Sequence, residues 1–185
     1  MMKMLLHTCC GPCSIYPVEY LKEQGMEIQG YFYNPNIHPY TEYVKRMDTL
    51  QKFAASVDIP IIWDDDYRLE EFIRKVVHRE TDRCRECYAM RLEETARVAK
   101  EGGFDSFTTT LLVSPYQKHE LIREIGLAYG QKYGVPFYYA DYRPGYRKAT
   151  VRSRELGMYR QQYCGCIYSE KDRYFRQSKK EGAKT

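Results

Sequence analysis

Five short runs rich in apolar, β-branched and aromatic residues alternate with segments of helical periodicity, and this alternation restricts the fold more than any other feature of the chain. The runs are residues 3–8 (KMLLHT), 26–33 (MEIQGYFY), 59–63 (IPIIW), 104–113 (FDSFTTTLLV) and 135–140 (VPFYYA). Between them, Pro17 and Gly25 mark a helix start and stop. Tyr43, Met47, Leu50 and Ala54 recur at helical spacing within about 41–57. Further helical patterns cover about 68–78, 85–100 and 118–132, and the last segment reads as helical near 148–160 and 169–179. NPNIHP, residues 34–39, is a turn-rich loop. Strands separated by helices imply parallel βαβ units with right-handed crossovers. The expected fold is therefore α/β, a parallel sheet of about five strands in the order 3-2-1-4-5 flanked by helices. In such sheets reactive groups gather at the carboxyl ends of the strands where their order reverses, here between strands one and four. That geometry sets Cys9, Cys10 and Cys13 opposite Thr109, Thr110, Ser114 and Tyr116, with Asp141 on the same edge. Thr108 to Thr110 are equally well explained as ordinary β-branched strand residues.

At 185 residues and 43% apolar content, residues 1–185 make one α/β domain with a single core, of which 143–185 forms a basic helical extension. No apolar run approaches the length of about 18 residues that a membrane helix needs, and the opening MMKMLLHTCC lacks the pattern of a signal peptide. A cytoplasmic protein is expected. In a reducing compartment the seven cysteines are catalytic or metal-binding rather than structural disulfides. They fall into three groups with none left over: Cys9-Cys10-x-x-Cys13, Cys84-x-x-Cys87 and Cys164-x-Cys166. Buried cysteine as a small hydrophobe accounts for any one position but not for this grouping. The thioredoxin reading of Cys10-Gly-Pro-Cys13 has no use for the other pairs, and a zinc ribbon needs only four thiolates. An iron–sulfur cluster takes up to four from separated segments and leaves three for chemistry.

Charge is uneven along the chain. From Arg143 onward there are 12 Lys and Arg against 4 Asp and Glu, a net +8, whereas the preceding residues carry −4. Lys179 to Thr185 read as a solvated tail. Arg143, Arg147, Lys148, Arg152, Arg154 and Arg160 instead interleave with Tyr142, Tyr146, Tyr159 and Tyr163, a pattern in which cations neutralise phosphates and rings stack on unpaired bases.

HTCCGPCS at 7–14, RCRECYAMRLEETA at 83–96, TTLLVSPYQ at 109–117 and YRQQYCGCIYS at 159–169 occur in order with compatible spacing. Together they resemble the cobalamin-independent epoxyqueuosine reductases, the QueH family, over nearly the whole chain. The resemblance implies an adenine-nucleotide-hydrolase-like fold and an iron–sulfur cofactor. It also implies two-electron reduction of epoxyqueuosine at the wobble position of tRNA to queuosine. ATP-using relatives of that fold carry a Ser-Gly-Gly-type phosphate loop after strand one. Here Cys-Cys-Gly-Pro-Cys takes its place and no Walker motif occurs, so neither ATP nor cobalamin is expected.

On this basis Cys9, Cys10, Cys84 and Cys87 are the expected ligands of a [4Fe–4S] cluster, the vicinal pair on the loop after strand one and the CxxC at a helix start. Cys164 and Cys166 are expected to act as a redox relay. The rival role is a second mononuclear metal, iron or zinc, held with Cys13 and Asp141. Asp141 is the expected proton donor, and His7 the weaker candidate because a strand histidine is more often a packed, hydrogen-bonded one. Arg143, Arg147, Arg152 and Arg154 are expected on phosphates and Tyr142 and Tyr146 on bases, with help from the aromatic segment Tyr31 to Tyr40. The partners are a tRNA anticodon loop and an external electron donor. The alternative is a cysteine-rich, zinc-containing tRNA-binding protein without turnover, which has no use for sulfurs beyond four.

Overall fold

The computed structural model describes residues 1–175. The expected end of the last helix and the tail from Lys179 lie outside the described residues. Four parallel strands, β1 (Lys3–His7), β2 (Glu27–Tyr33), β3 (Ile61–Asp64) and β4 (Ser106–Thr109), form one sheet in the order β3-β2-β1-β4. Seven α-helices are described: α1 (Gly11–Glu23), α2 (Tyr40–Ser56), α3 (Leu69–Val76), α4 (Arg83–Glu101), α5 (His119–Tyr133), α6 (Tyr146–Glu155) and α7 (Ile167–Tyr174). The class and the strand order match the expectation as far as strand four. No helix among the described residues is long and apolar enough to cross a membrane.

β1 is central and pairs in register with β2 on one edge and β4 on the other. Its side chains alternate between faces. Leu5 joins a cluster with Tyr88, Leu92 and Ala96 of α4 and Ile122 of α5. Met4 and Leu6 join Ile15, Val18 and Leu21 of α1 and Phe53 of α2. All three β1 residues are fully buried, because helices cover both faces of a parallel sheet. Each such side chain contributes about 1.5–3 kcal/mol by leaving water.

Two expected elements come out shorter. The run at 135–140 supplies a single parallel bridge, Phe107 to Phe137, in place of a fifth strand. Phe107 N–H donates to Pro136 O at 3.1 Å and Tyr138 N–H to Phe107 O at 2.8 Å. Pro136 has no N–H with which to extend the ladder. The run at 104–113 leaves the sheet after Thr109, whose Oγ1 accepts from Leu111 N–H at 3.2 Å and turns the chain into a 3₁₀ segment, Thr110–Val113. Helix α1 begins six residues before the expected Pro17. Pro12 occupies its first turn, where a missing N–H costs nothing, and Pro17 lies inside the helix. The helix expected over 148–160 stops at Glu155, where Gly157 takes a left-handed φ of +60°, and residues 156–166 form a loop.

Helix α6 packs on α1 through Gly145, which precedes it. A Cβ at Gly145 would lie 2.0 Å from the Tyr16 ring, and Lys148 Nζ meets Glu19 Oε1 at 2.6 Å nearby. Gly145→Ala is expected to lower the unfolding free energy by about 1–3 kcal/mol through overpacking, measured by urea unfolding with the denaturant slope unchanged.

Candidate metal centre

His7 closes β1 and braces its two neighbours. Its Nε2 bonds the carbonyl of Tyr33 on β2 at 3.1 Å, so that nitrogen carries the proton, and Nδ1 accepts from Thr109 Oγ1 on β4 at 2.9 Å. Burial first, and then the nearby Arg91 charge, push the His7 pKa down to about 4. The ring is thus a neutral strut rather than an acid.

The next turn of chain gathers three thiols. Sγ of Cys9, Cys10 and Cys13 all lie within 4.8 Å of one another, with Cys9 and Cys10 at 3.8 Å. Cys10 is the N-cap of α1 and Cys13 stands on its first turn, where free amide groups favour thiolate charge. Gly11 lets α2 approach: a Cβ there would be 2.9 Å from the Thr49 carbonyl oxygen. Thr110 Oγ1 accepts from Cys9 N–H at 3.3 Å and lies 3.5 Å from Cys9 Sγ, to which its hydroxyl donates. Gln161 Nε2 donates to Cys13 Sγ at 3.2 Å, and Cys10 Sγ donates to Gln161 Oε1 at 3.4 Å. Hydrogen bonds from Cys10 and Cys13 hold the Cys9 thiol well below the usual range, while Cys10 is pushed well above it.

The other four thiols come from the start of α4 and the loop before α7. Cys87 and Cys166 share a small apolar cluster with Phe72, Val76 and Met90. Burial pushes Cys87 up to about 12, against the pull of Arg91, and burial likewise raises Cys84. Cys164 is exposed, and its Sγ accepts from Gln117 Nε2 at 3.3 Å. The intervening Gly165 has φ +151°, a conformation that favours glycine.

Two arginines are the largest fully buried side chains among the described residues, Arg46 at 1% and Arg91 at 2% exposure. Arg46 pairs with Glu42 at 2.7 Å and donates to the carbonyls of Cys164 and Tyr163, each at 2.9 Å, so it clamps the CxC loop onto α2. Arg91 has no carboxylate partner among the described residues. Its Nε donates to Cys87 O at 3.1 Å and a terminal nitrogen to Cys87 Sγ at 3.0 Å, and it lines the same cavity as Cys9 and Cys164. An uncompensated buried charge costs about 3–5 kcal/mol. Among the described residues the polar atoms that Arg91 meets directly are the Cys87 carbonyl oxygen and the Cys87 sulfur.

Three of the thiols, Cys9, Cys13 and Cys164, open on one cavity of about 530 Å³ that Arg91, Gln117 and Gln161 also line. Thr110, Ser114 and Tyr116 also line it, as the reversal of strand order between β1 and β4 leads one to expect. Other expectations are corrected. Asp141 is not among the cavity-lining residues. Arg143 binds both of its carboxylate oxygens, at 2.6 and 2.8 Å, and holds its pKa at about 2. Cys13 keeps company with Cys9 and Cys10, and among the described residues neither the expected cluster set of Cys9, Cys10, Cys84 and Cys87 nor the second-metal set of Cys13, Cys164, Cys166 and Asp141 has all its donor atoms within 4.8 Å of one another. Tyr142 is fully buried against Tyr16 and Tyr20 and has no face to offer a base. Arg143 and Arg152 are held by Asp141 and Glu155. Arg147 and Arg154 are exposed without an ion-pair partner among the described residues. Tyr146 lines the cavity beside Tyr116. In the segment Tyr31 to Tyr40, Tyr31 and Tyr33 are core and only Pro39 and Tyr40 are exposed.

Sequence reasoning passed over Arg46, Arg91, Gln117, Gln161 and the cavity-lining Asp172. Arg91 alone left a readable signal, because it follows Cys87 by four residues and shares its helix face.

The family model described as epoxyqueuosine reductase QueH matches residues 4–172. The chain belongs to the epoxyqueuosine reductase QueH family. It is 40% identical over 172 residues to the QueH protein of Dehalococcoides mccartyi, covering 93% of this chain and 94% of that one. The QueH protein of Thermotoga maritima is 35% identical, with 90% and 89% covered. Among solved structures, a predicted subunit of a tRNA methyltransferase from Methanocaldococcus jannaschii superposes with a TM-score of 0.56 at 12% identity, over 84% of this chain and 75% of that one. That likeness concerns the fold alone. The four quoted motifs of this QueH family member thus all contribute residues to the cysteine-lined cavity or its supports.

The depressed His7 pKa makes stability depend on pH. The unfolded chain takes up this proton near pH 6.5 and the folded protein only near 4, so the contribution is complete above 6.5 and is lost as pH falls towards 4. His7→Gln is expected to remove on the order of 3 kcal/mol from the acid-induced loss over that window. Urea unfolding at several pH values checks this, and His38, also lowered to about 4 by burial, supplies the residual slope.

Proposed function

We propose that the protein reduces epoxyqueuosine, at the wobble position of a tRNA anticodon, to queuosine, and that its thiols hold an iron–sulfur cluster for this purpose. The observation that carries the reading is the convergence of all three cysteine groups around a buried guanidinium that lacks a carboxylate. Thiolates in this number suit iron–sulfur binding, and a thiolate-ligated cluster offsets the Arg91 charge. Cys9, Cys10, Cys84 and Cys87 would hold a [4Fe–4S] cluster. Three of these are buried, and Arg91 faces Cys9 and Cys87. When bound, the cluster supplies electrons one at a time.

Converting the epoxide to an alkene releases its oxygen as water and consumes two electrons and two protons. Cys164 and Cys166 fit a relay, since two thiols closing to one disulfide release the same two electrons and two protons. A CxC disulfide is strained and readily reduced again by an external donor. These thiols replace Asp141 as the proton source, because its carboxylate is ionised and tied to Arg143. Arg46 positions the relay by donating to the carbonyls of Tyr163 and Cys164, the peptide oxygens on either side of the Cys164 α-carbon. Arg160 and Arg173 at the cavity, with Arg147 and Arg154 on the adjacent surface, would contact tRNA phosphates. Tyr146 and Tyr116 would stack on the flipped or neighbouring bases. Such an enzyme works in the cytoplasm, where tRNA is modified, and needs neither ATP nor cobalamin.

Anaerobic purification with iron and acid-labile sulfide quantified tests the reading. Iron and sulfide in near-equal amounts, with turnover of epoxyqueuosine-containing tRNA, are expected; zinc alone and no turnover would mark a tRNA-binding zinc protein instead. Alanine at Cys9, Cys10, Cys84 or Cys87 should cost cluster iron. Alanine at Cys164 or Cys166 should keep iron and abolish turnover, and Asp141→Asn should leave both within about twofold. Replacing Arg147 and Arg154 together should weaken tRNA binding and reduce the salt slope by about 1–2, checked by titration at several salt concentrations.

A further inference from the structure

The contrast between the two buried arginines goes beyond ligand binding. Arg46 is matched by Glu42 and by backbone carbonyls, and its work is to hold a loop. Arg91 is equally buried, but apart from the carbonyl of Cys87 its neighbours are a sulfur at 3.0 Å and the face of Tyr88, 5.8 Å from ring centroid to guanidinium carbon. Its helix leaves it no alternative. Cys87 lies one turn earlier on the same face, and Thr95 Oγ1, one turn later, is turned onto the Arg91 carbonyl at 2.6 Å. The guanidinium lines the same cavity as Cys9 and Cys164. A positive charge is thus fixed beside the sulfurs in a place that water screens poorly.

We infer that Arg91 sets the reduction potential of the iron–sulfur centre, acting through the cluster's charge rather than on substrate. The inference rests on the proposed cluster and concerns one consequence of it. Reduction of a thiolate-ligated cluster adds one electron and one unit of negative charge. A fixed cation in a medium of low effective dielectric favours the more negative state, and an N–H donor to a ligand sulfur acts in the same direction. Arg91 therefore raises the potential, which lets a moderate biological reductant fill a centre that dense thiolate charge would otherwise make hard to reduce. A purely architectural Arg91 would affect melting and cluster retention but not the potential of the cluster that remains.

The test compares anaerobically purified, cluster-loaded wild type, Arg91→Gln and Arg91→Lys in redox titrations followed by electron paramagnetic resonance, with iron, sulfide and circular dichroism measured on each sample. In Arg91→Gln the reduction equilibrium should fall at least tenfold, about 59 mV more negative for a one-electron couple. Arg91→Lys, which keeps the charge but loses the forked donor, should fall less than threefold. Loss of the cluster from Arg91→Gln alone speaks only to retention, and the potential of iron-replete Arg91→Lys then decides: a shift below threefold is expected, and a tenfold or larger fall overturns the inference. An unmoved potential in an iron-replete Arg91→Gln overturns it. So does a Lys variant that shifts as far as Gln, or loss of the cluster from both folded variants. A wild-type protein without iron and sulfide would overturn the reading of the site as well, so the two failures are distinguishable.

Discussion

Everything at the site depends on β1 being hydrogen-bonded along both edges and capped by His7. Because β2 lies on one side and β4 on the other, the chain leaving β1 emerges into the crevice where strand order reverses, and no neighbouring strand covers it there. His7 makes that exit rigid by reaching a carbonyl on β2 and a hydroxyl on β4. The protein carries vicinal thiols at the very next turn, so their position is inherited from a strand paired along both edges. Thr109 serves the same junction twice, binding the imidazole and turning the chain after β4 so that Thr110 can contact Cys9.

Electrostatics around the cavity follows from what is withheld as much as from what is present. The only carboxylate in its lining among the described residues, Asp172, is paired with Arg83, and Asp141 is taken up locally by Arg143. Four arginines line the cavity: Arg46, Arg91, Arg160 and Arg173. Such a surface suits an anionic, thiolate-rich centre at its base and a phosphodiester at its mouth. Burial separates the roles. Arg46 and Arg91 are buried, whereas Arg147 and Arg154 are exposed.

The CxC loop is an independent unit attached to this frame. Arg46 grips its carbonyls, His38 N–H donates to Gly165 O at 2.8 Å, and Ser169 Oγ accepts from Gly165 N–H at 3.1 Å. Cys166 is buried as the cap of α7 while Cys164 faces Gln117 and solvent. One sulfur of the pair is thus anchored in the apolar cluster with Phe72 and Val76, and the other is exposed.

Local sequence was enough to determine the parallel α/β class, the order of the first four strands and the placement of a cysteine loop at the switch point. Helical and strand periodicities are short-range signals that survive without knowledge of neighbours. The grouping of the seven cysteines, and four motifs in order, were equally legible. The partnerships were not. Asp141 and Tyr142 looked available because their flanking sequence is basic and aromatic, yet Arg143 chelates one and Tyr16 and Tyr20, from a helix more than a hundred residues earlier, bury the other. Pro136 reduced an apparent fifth strand to one bridge. Arg91 showed only a spacing to Cys87, and its lack of any carboxylate appeared once α4 was packed against β1. Burial and charge compensation arise between segments far apart in the chain, so only the tertiary structure decided which ionisable groups face the thiols and which are spent on one another.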